Sequence, residues 1–270
     1  MHRGQVHHIS KRRYKKLQEQ CKKVVKHCTI ENIHQFRVEY KKMRSFLRMI
    51  SHNKKAGKEI KIPEKIKKAY RVSGAIRDLQ LQRGRITNAV KGVHEKPRAY
   101  LTLLQKKIND LKPALCEILL TKSITENRKK TDAADLRKLS LTDFKLFAQK
   151  KWEIIYSIIA TGHFIDDNLH SIRKHLKDLF YNLKLYKGIE YEKLLSSAVR
   201  GKDEPYFHQL ISELGNFQDN CTALTLLQLY PQKDPNKYNR QITGYLKKIW
   251  QKEKAGRKRL LVQQLTSDIA

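Results

Sequence analysis

Two segments of the chain place cationic side chains at regular helical intervals. Ile33 to Ile50 reads IHQFRVEYKKMRSFLRMI, and Leu169 to Tyr186 reads LHSIRKHLKDLFYNLKLY. In the first, His34, Arg37, Lys41, Arg44 and Arg48 follow one another in steps of three and four; in the second, His170, Arg173, Lys177 and Lys184 repeat the row, with Lys174 beside it. Steps of that size gather side chains on one helical face. From His34 to Arg48 the rise is about 21 Å, at about 1.5 Å per residue, longer than one phosphate requires and suited to a chain of them. The planar fork of arginine holds two anionic oxygens at once, and lysine supplies a mobile point charge. The two histidines add donors whose charge a nearby anion favours and neighbouring cations oppose, so binding is expected to strengthen as pH falls.

A second duplicated element follows each row. Ser73 to Gln82 reads SGAIRDLQLQ and Leu214 to Ala223 reads LGNFQDNCTA, so G-x-x-x-D recurs as Gly74/Asp78 and Gly215/Asp219 at a similar distance from the preceding histidine. Two carboxylates repel a polyanion, so Asp78 and Asp219 are read either as acceptors that hold Arg or Lys toward the ligand or as ordinary charges near a helix N-terminus. Arg77, beside Asp78, joins the candidate cations.

These side chains need helices to position them. Ile33, Phe36, Tyr40, Met43, Leu47 and Ile50 form an apolar stripe one residue behind the basic row, matched by Leu169, Ile172, Leu176, Leu179, Leu183 and Tyr186. A displacement of one residue turns a position by about 100°, so the cations flank the core contact rather than oppose it. The patterning predicts helices over about 10–28 with Ser10 as cap, 31–51, 64–91 with Gly92 as stop, 97–121, 136–160, 166–187, 190–200, 204–230 and 235–265. The polar run Thr121 to Asp135 reads as a seam, dividing the chain into helical-bundle halves at 1–125 and 126–270.

Composition agrees with an all-α chain of 270 residues, since only 11 Gly and 6 Pro interrupt it. The formal net charge is +32. Self-repulsion of that size opposes compaction, so the excess is expected to meet an anionic partner: nucleic acid, an anionic membrane surface or a phosphate polymer. Met1 to Lys16 has no apolar core of a secretory signal, and no apolar run is long enough to cross a bilayer, which predicts a cytoplasmic protein without membrane insertion. Cys21, Cys28, Cys116 and Cys221 have no metal-site spacing and are expected to be reduced, mostly buried thiols; no metal or cofactor is expected.

The ordered set His34-Gln35-Phe36-Arg37, Lys41-Lys42-Met43-Arg44, Gly74 to Asp78, His170-Ser171-Ile172-Arg173, Lys177 and Leu214-Gly215 to Asp219 resembles the CHAD family, the conserved-histidine α-helical domain. The resemblance spans nearly the whole chain. It implies two helical bundles related by a pseudo-two-fold axis, packed as one unit around a central basic groove or pore. It also implies inorganic polyphosphate as ligand and no catalysis, with polyphosphate granules or polyphosphate-metabolising enzymes as the surrounding partners. Two positions depart from the duplicated pattern: Phe180 stands opposite Arg44, and Gln218 opposite Arg77.

Other readings of the same residues remain open. The basic rows could be solvated helix faces, and the histidines could bond a neighbouring helix. An RNA-binding protein would carry similar charge, but no aromatic residues interleave the rows to stack bases. An enzyme acting on condensed phosphates would need clustered carboxylates for a metal or a nucleophile beside a base, and the rows supply neither. Lipid binding would use apolar stripes that here are committed to packing.

Overall fold

The steps of three and four in the sequence become α-helices, and no strand occurs among the described residues. The structure is a computed structural model describing residues 1–52, 60–91, 97–120, 123–133, 139–186, 202–228 and 237–269. In chain order the helices are α1 (Arg3–Lys26), α2 (Ile30–His52), α3 (Glu64–Ala89), α4 (Arg98–Leu119), α5 (Ser123–Ala133), α6 (Leu141–Ala160), α7 (Asp166–Leu183), α8 (Glu204–Gln228) and α9 (Lys237–Asp268). The helix expected over 190–200 and the stop at Gly92 lie outside the described residues.

Both apolar stripes are buried as their periodicity requires, including Ile33 and Phe36 on α2 and Ile172 and Leu176 on α7. Each large side chain so buried contributes about 1.5–3 kcal/mol. Helix α1 packs on α2, α2 on α3 and α3 on α4; likewise α6 packs on α7, α7 on α8 and α8 on α9. Between these sets, α2 meets α7 and α3 meets α8. Buried apolar residues from both sets form one continuous core.

Two expectations change. Helix α1 starts seven residues before Ser10, because the His2 backbone N–H is bonded by Gln5 Oε1 at 2.9 Å and Val6 extends the buried stripe. Ser10 is therefore a buried position within the helix rather than its cap. The polar seam contains α5, which packs on α1. Its buried positions Ile124, Asn127 and Thr131 keep helical spacing, but two of the three are polar, so hydropathy alone misses them. Their contact is a hydrogen-bond cluster: Tyr14 Oη donates to Asn127 Oδ1 at 2.8 Å and lies 2.7 Å from Thr131 Oγ1.

The α2–α7 contact that brings the basic rows together is pinned by polar groups. Ser45 Oγ donates to the Asp178 carbonyl at 2.9 Å, and Asn182 Nδ2 donates to Ser45 Oγ at 2.8 Å and to its carbonyl at 3.1 Å. These bonds fix the register of one helix on the other.

Candidate functional site

Each basic row lies beside its helix's buried stripe, so packing α2 on α7 sets the two rows into one electrostatic neighbourhood. Lys41 is the clearest case. Burial, then repulsion from Lys177, Arg37, Arg173 and Arg44, lowers its ammonium from an ordinary value of 10.5 to about 7. Lys177 is lowered to about 8 by burial and Arg173, with Asp219 opposing. Burial lowers Lys174 too, helped by Arg48 and Arg44. Cations from both copies thus oppose one another's charge, a condition that an anion between them would relieve.

The downstream glycines explain how the arginines are held. Arg37 Nη1 donates to the Tyr70 carbonyl at 2.8 Å, and its guanidinium lies 4.4 Å from the centre of the Tyr70 ring. Tyr70 precedes Gly74 by one helical turn, and a Cβ at Gly74 would come within 2.6 Å of Arg37 Nη1. The second copy repeats the device: Arg173 Nε donates to the Ile211 carbonyl at 3.4 Å, one turn before Gly215, where a Cβ would stand 3.0 Å from Arg173 Nη2. The glycine of each G-x-x-x-D element therefore lets a guanidinium lie against the helix and reach an occupied carbonyl. Sequence reading found the glycines without that reason and missed Tyr70 and Ile211, whose carbonyls carry no side-chain signal.

Asp78 and Asp219 face this cluster from α3 and α8. Burial raises Asp78, with Arg37 opposing and Asp219 raising it further. Burial likewise raises Asp219, opposed by Arg173, Arg77, Arg85 and Lys41. The two carboxylates are thus close enough to repel each other, which joins the second duplicated element across the halves as well. Among the described residues neither accepts a hydrogen bond or forms an ion pair, so they act on the cations through the field rather than by direct contact.

The histidines open the rows in different settings. Burial lowers His34, and Arg77, Lys41 and Lys177 lower it further against Glu31. Burial also lowers His170, with Arg173 and Lys174, while a side-chain hydrogen bond with Gln218 raises it. Gln218, which replaces the arginine of the other copy, is thus a partner of His170. Phe180, the other departure, is buried against Phe207 and serves the core.

Two residues of the rows pair with carboxylates at the edge of the cluster. Arg48 forms an ion pair with Asp178 at 2.8 Å, and Lys151 approaches the same carboxylate at 3.8 Å. Asp178 is buried at the α2–α7 contact, where it neutralises the end of the first row. Lys184 is exposed and pairs with Glu204 at 3.6 Å. It is not among the charges acting on Lys41, Lys174 or Lys177.

Among the described residues no group of three His, Cys, Asp or Glu side chains could hold a metal, and the four cysteines are free. No described helix is long and apolar enough to cross a membrane.

Comparison with known proteins gives the same frame. No curated protein matches the chain. Among solved structures, the fold is similar to the CHAD domain from the plant Ricinus communis, with a TM-score of 0.71, 18% identity, and coverage of 98% of this chain and 93% of that one. The CHAD domain profile matches residues 8–228, a span that holds both basic rows and both G-x-x-x-D elements. The chain therefore belongs to the CHAD domain family.

Proposed function

We propose that this protein binds inorganic polyphosphate without chemical turnover, in a basic groove between two helical halves related by an approximate two-fold axis. The halves are taken as 1–125 and 126–270; the repeated order of helix contacts in α1–α4 and in α6–α9 supports two halves, while α5, which spans the boundary, packs on α1 and α3. The observation that carries the reading is Lys41, whose charge is opposed by cations from both copies of the repeat. A flexible chain of phosphates supplies many evenly spaced anionic oxygens, which matches a row of cations better than a single anion does.

His34, Arg37, Lys41, Arg44 and Arg77 from the first copy and His170, Arg173, Lys174 and Lys177 from the second are the proposed contacts. Arg48 and Lys184 flank them. Asp78 and Asp219 keep the neighbouring cations from dispersing. Polyphosphate granules or enzymes that make or degrade the polymer are the partners this ligand implies, in a cytoplasmic setting.

Isothermal titration with long-chain polyphosphate at moderate salt tests the proposal. Saturable heat that weakens in Lys41→Ala and Lys177→Ala is expected; no saturable heat overturns it. Single-stranded RNA is the competing ligand, and if RNA displaces polyphosphate while polyphosphate fails to displace RNA, the nucleic-acid reading prevails. Orthophosphate release above background with magnesium or manganese present would overturn the non-catalytic part.

A further inference from the structure

Away from the basic rows, the end of α1 and the last turns of α4 bring two cysteines together. Cys28 stands in the short link between α1 and α2, and Cys116 stands on α4, which packs against α1. Cys116 Sγ donates to the Val24 carbonyl at 4.0 Å, and the Cys28 and Cys116 thiols hydrogen-bond to each other. Both are half-buried and free. Sulfurs already in contact need only a small approach to reach the about 2.05 Å of a disulfide. The backbone on both sides can yield to that approach. Cys28 is not held in a helix, and Pro113, inside α4 just before Cys116, lacks the N–H that would bond the Asn109 carbonyl.

Cys28 also opens onto a cavity of ≈ 550 Å³ between α3 and α4, within the roughly 300–1,000 Å³ of small-ligand sites. Arg83 and Lys112 line it together with Thr87, Asn88 and Gln105, and among the described residues no carboxylate does. Such a wall suits an anionic peptide, whose charge meets the two cations and whose amides meet the polar side chains. Oxidised glutathione is a molecule of this kind with a disulfide at its centre. Cys116 is not part of the lining, so Cys28 is the thiol that an entering disulfide meets first. Burial, with Cys116, raises the Cys28 thiol to about 11 against the opposing charge of Lys112. Little thiolate is present at neutral pH, and exchange is correspondingly slow, on the scale of minutes to hours.

From these contacts we propose that Cys28 and Cys116 are a reversible dithiol–disulfide pair, oxidised by exchange with a glutathione-type disulfide that docks against Arg83 and Lys112. The Cys28 thiolate attacks one sulfur of the disulfide, breaks its S–S bond and releases one glutathione thiolate, which takes up a proton. The Cys116 thiolate, its own proton lost to water, then attacks Cys28 Sγ, and the second glutathione leaves as a thiol. Two protein thiols are oxidised, and one glutathione disulfide is reduced to two thiols. The new bond ties the start of α2 to α4 and closes a loop that holds α2, α3 and most of α4, which restricts the unfolded chain. In a reducing compartment the pair stays as thiols, and it closes when the glutathione pool is oxidised. The site shares no residue with the basic cluster, and the inference does not depend on the ligand bound there.

The full chain is incubated with oxidised glutathione, quenched with acid and mapped by mass spectrometry without reduction. Peptides joined through Cys28 and Cys116 are expected, with a mass lower by two hydrogens and a Tm higher by about 4 °C or more, both reversed by dithiothreitol. Cys116→Ser should keep a glutathione adduct on Cys28, whereas Cys28→Ser should leave Cys116 unmodified. Arg83→Ala should slow closure by oxidised glutathione severalfold and leave closure by the uncharged hydroxyethyl disulfide within about twofold of the parent. Four thiols still free, a lasting glutathione adduct in the parent, or a crosslink through Cys21 or Cys221 overturns the pairing. No slowing in Arg83→Ala, or equal slowing with both disulfides, overturns the docking.

Discussion

Lys41 keeps its place in a site where burial and four neighbouring cations oppose its charge. Unfolded, it holds its proton up to its ordinary value of 10.5; folded, it releases it near 7. The unfolded chain therefore binds more protons across that window, and the free protein becomes more stable as pH rises through it. Phosphate between the rows favours the charged form, so binding should draw in protons. At pH 8, heats measured in buffers of different ionisation enthalpy should differ in the sense of proton uptake, and buffer-independent heats would contradict the coupling. Lys41→Met should raise the Tm of the free protein at pH 7, by about 2–4 °C for each kcal/mol of opposition relieved, while weakening polyphosphate. Gly74→Ala separates the same two properties differently. The added methyl displaces Arg37 from the Tyr70 carbonyl, while alanine gains about 0.5–1 kcal/mol of helix preference over glycine. Stability should stay within about 1 kcal/mol while affinity falls severalfold. Gly215→Ala, with a Cβ contact of 3.0 Å instead of 2.6 Å, should do less.

At the scale of elements, the site is a consequence of how α2 crosses α7. Ser45, Asp178 and Asn182 join the helices through buried hydrogen bonds, and the Asp178 carboxylate holds Arg48 and Lys151. Removing the carboxylate leaves those cations without their counter-charge beside a row that is already cationic. Asp178→Ala should cost about 1–3 kcal/mol, since Arg48 is partly open to solvent and can be hydrated once its carboxylate is gone, measurable as a lower urea midpoint. A loss under 1 kcal/mol would mean that Asp178 is not needed to hold α2 on α7. This contact was half legible in the sequence. The apolar stripes of α2 and α7 could be read directly, because burial selects residue type at helical spacing. The partner of Asp178 could not, because nothing in spacing alone says which helix lies opposite. Helix α5 was missed for a related reason: Asn127 and Thr131 are buried through hydrogen bonds to Tyr14, which local hydropathy does not register.

At the scale of the whole molecule, a net charge of +32 on 270 residues opposes folding unless a partner offsets it. A polyanion that binds only the folded state should raise stability by about 2.7 kcal/mol at a hundredfold excess over Kd. Tm should climb with polyphosphate concentration and the gain should shrink as salt rises, because the attraction is screened over about 10 Å at 0.1 M. A salt-independent gain would point to contacts other than charge. The sequence by itself determined that the chain is helical, that it contains two basic rows with two G-x-x-x-D elements, and that each row borders a buried stripe. These are properties of spacing, and spacing on a helix is local. Only the tertiary structure decided that Lys41 faces Lys177, that Gly74 and Gly215 admit the arginines of the preceding rows, that Asp178 takes Arg48, and that Lys184 turns to Glu204. Each of those pairings joins residues far apart in the chain, and only helix packing sets which side chains share a field.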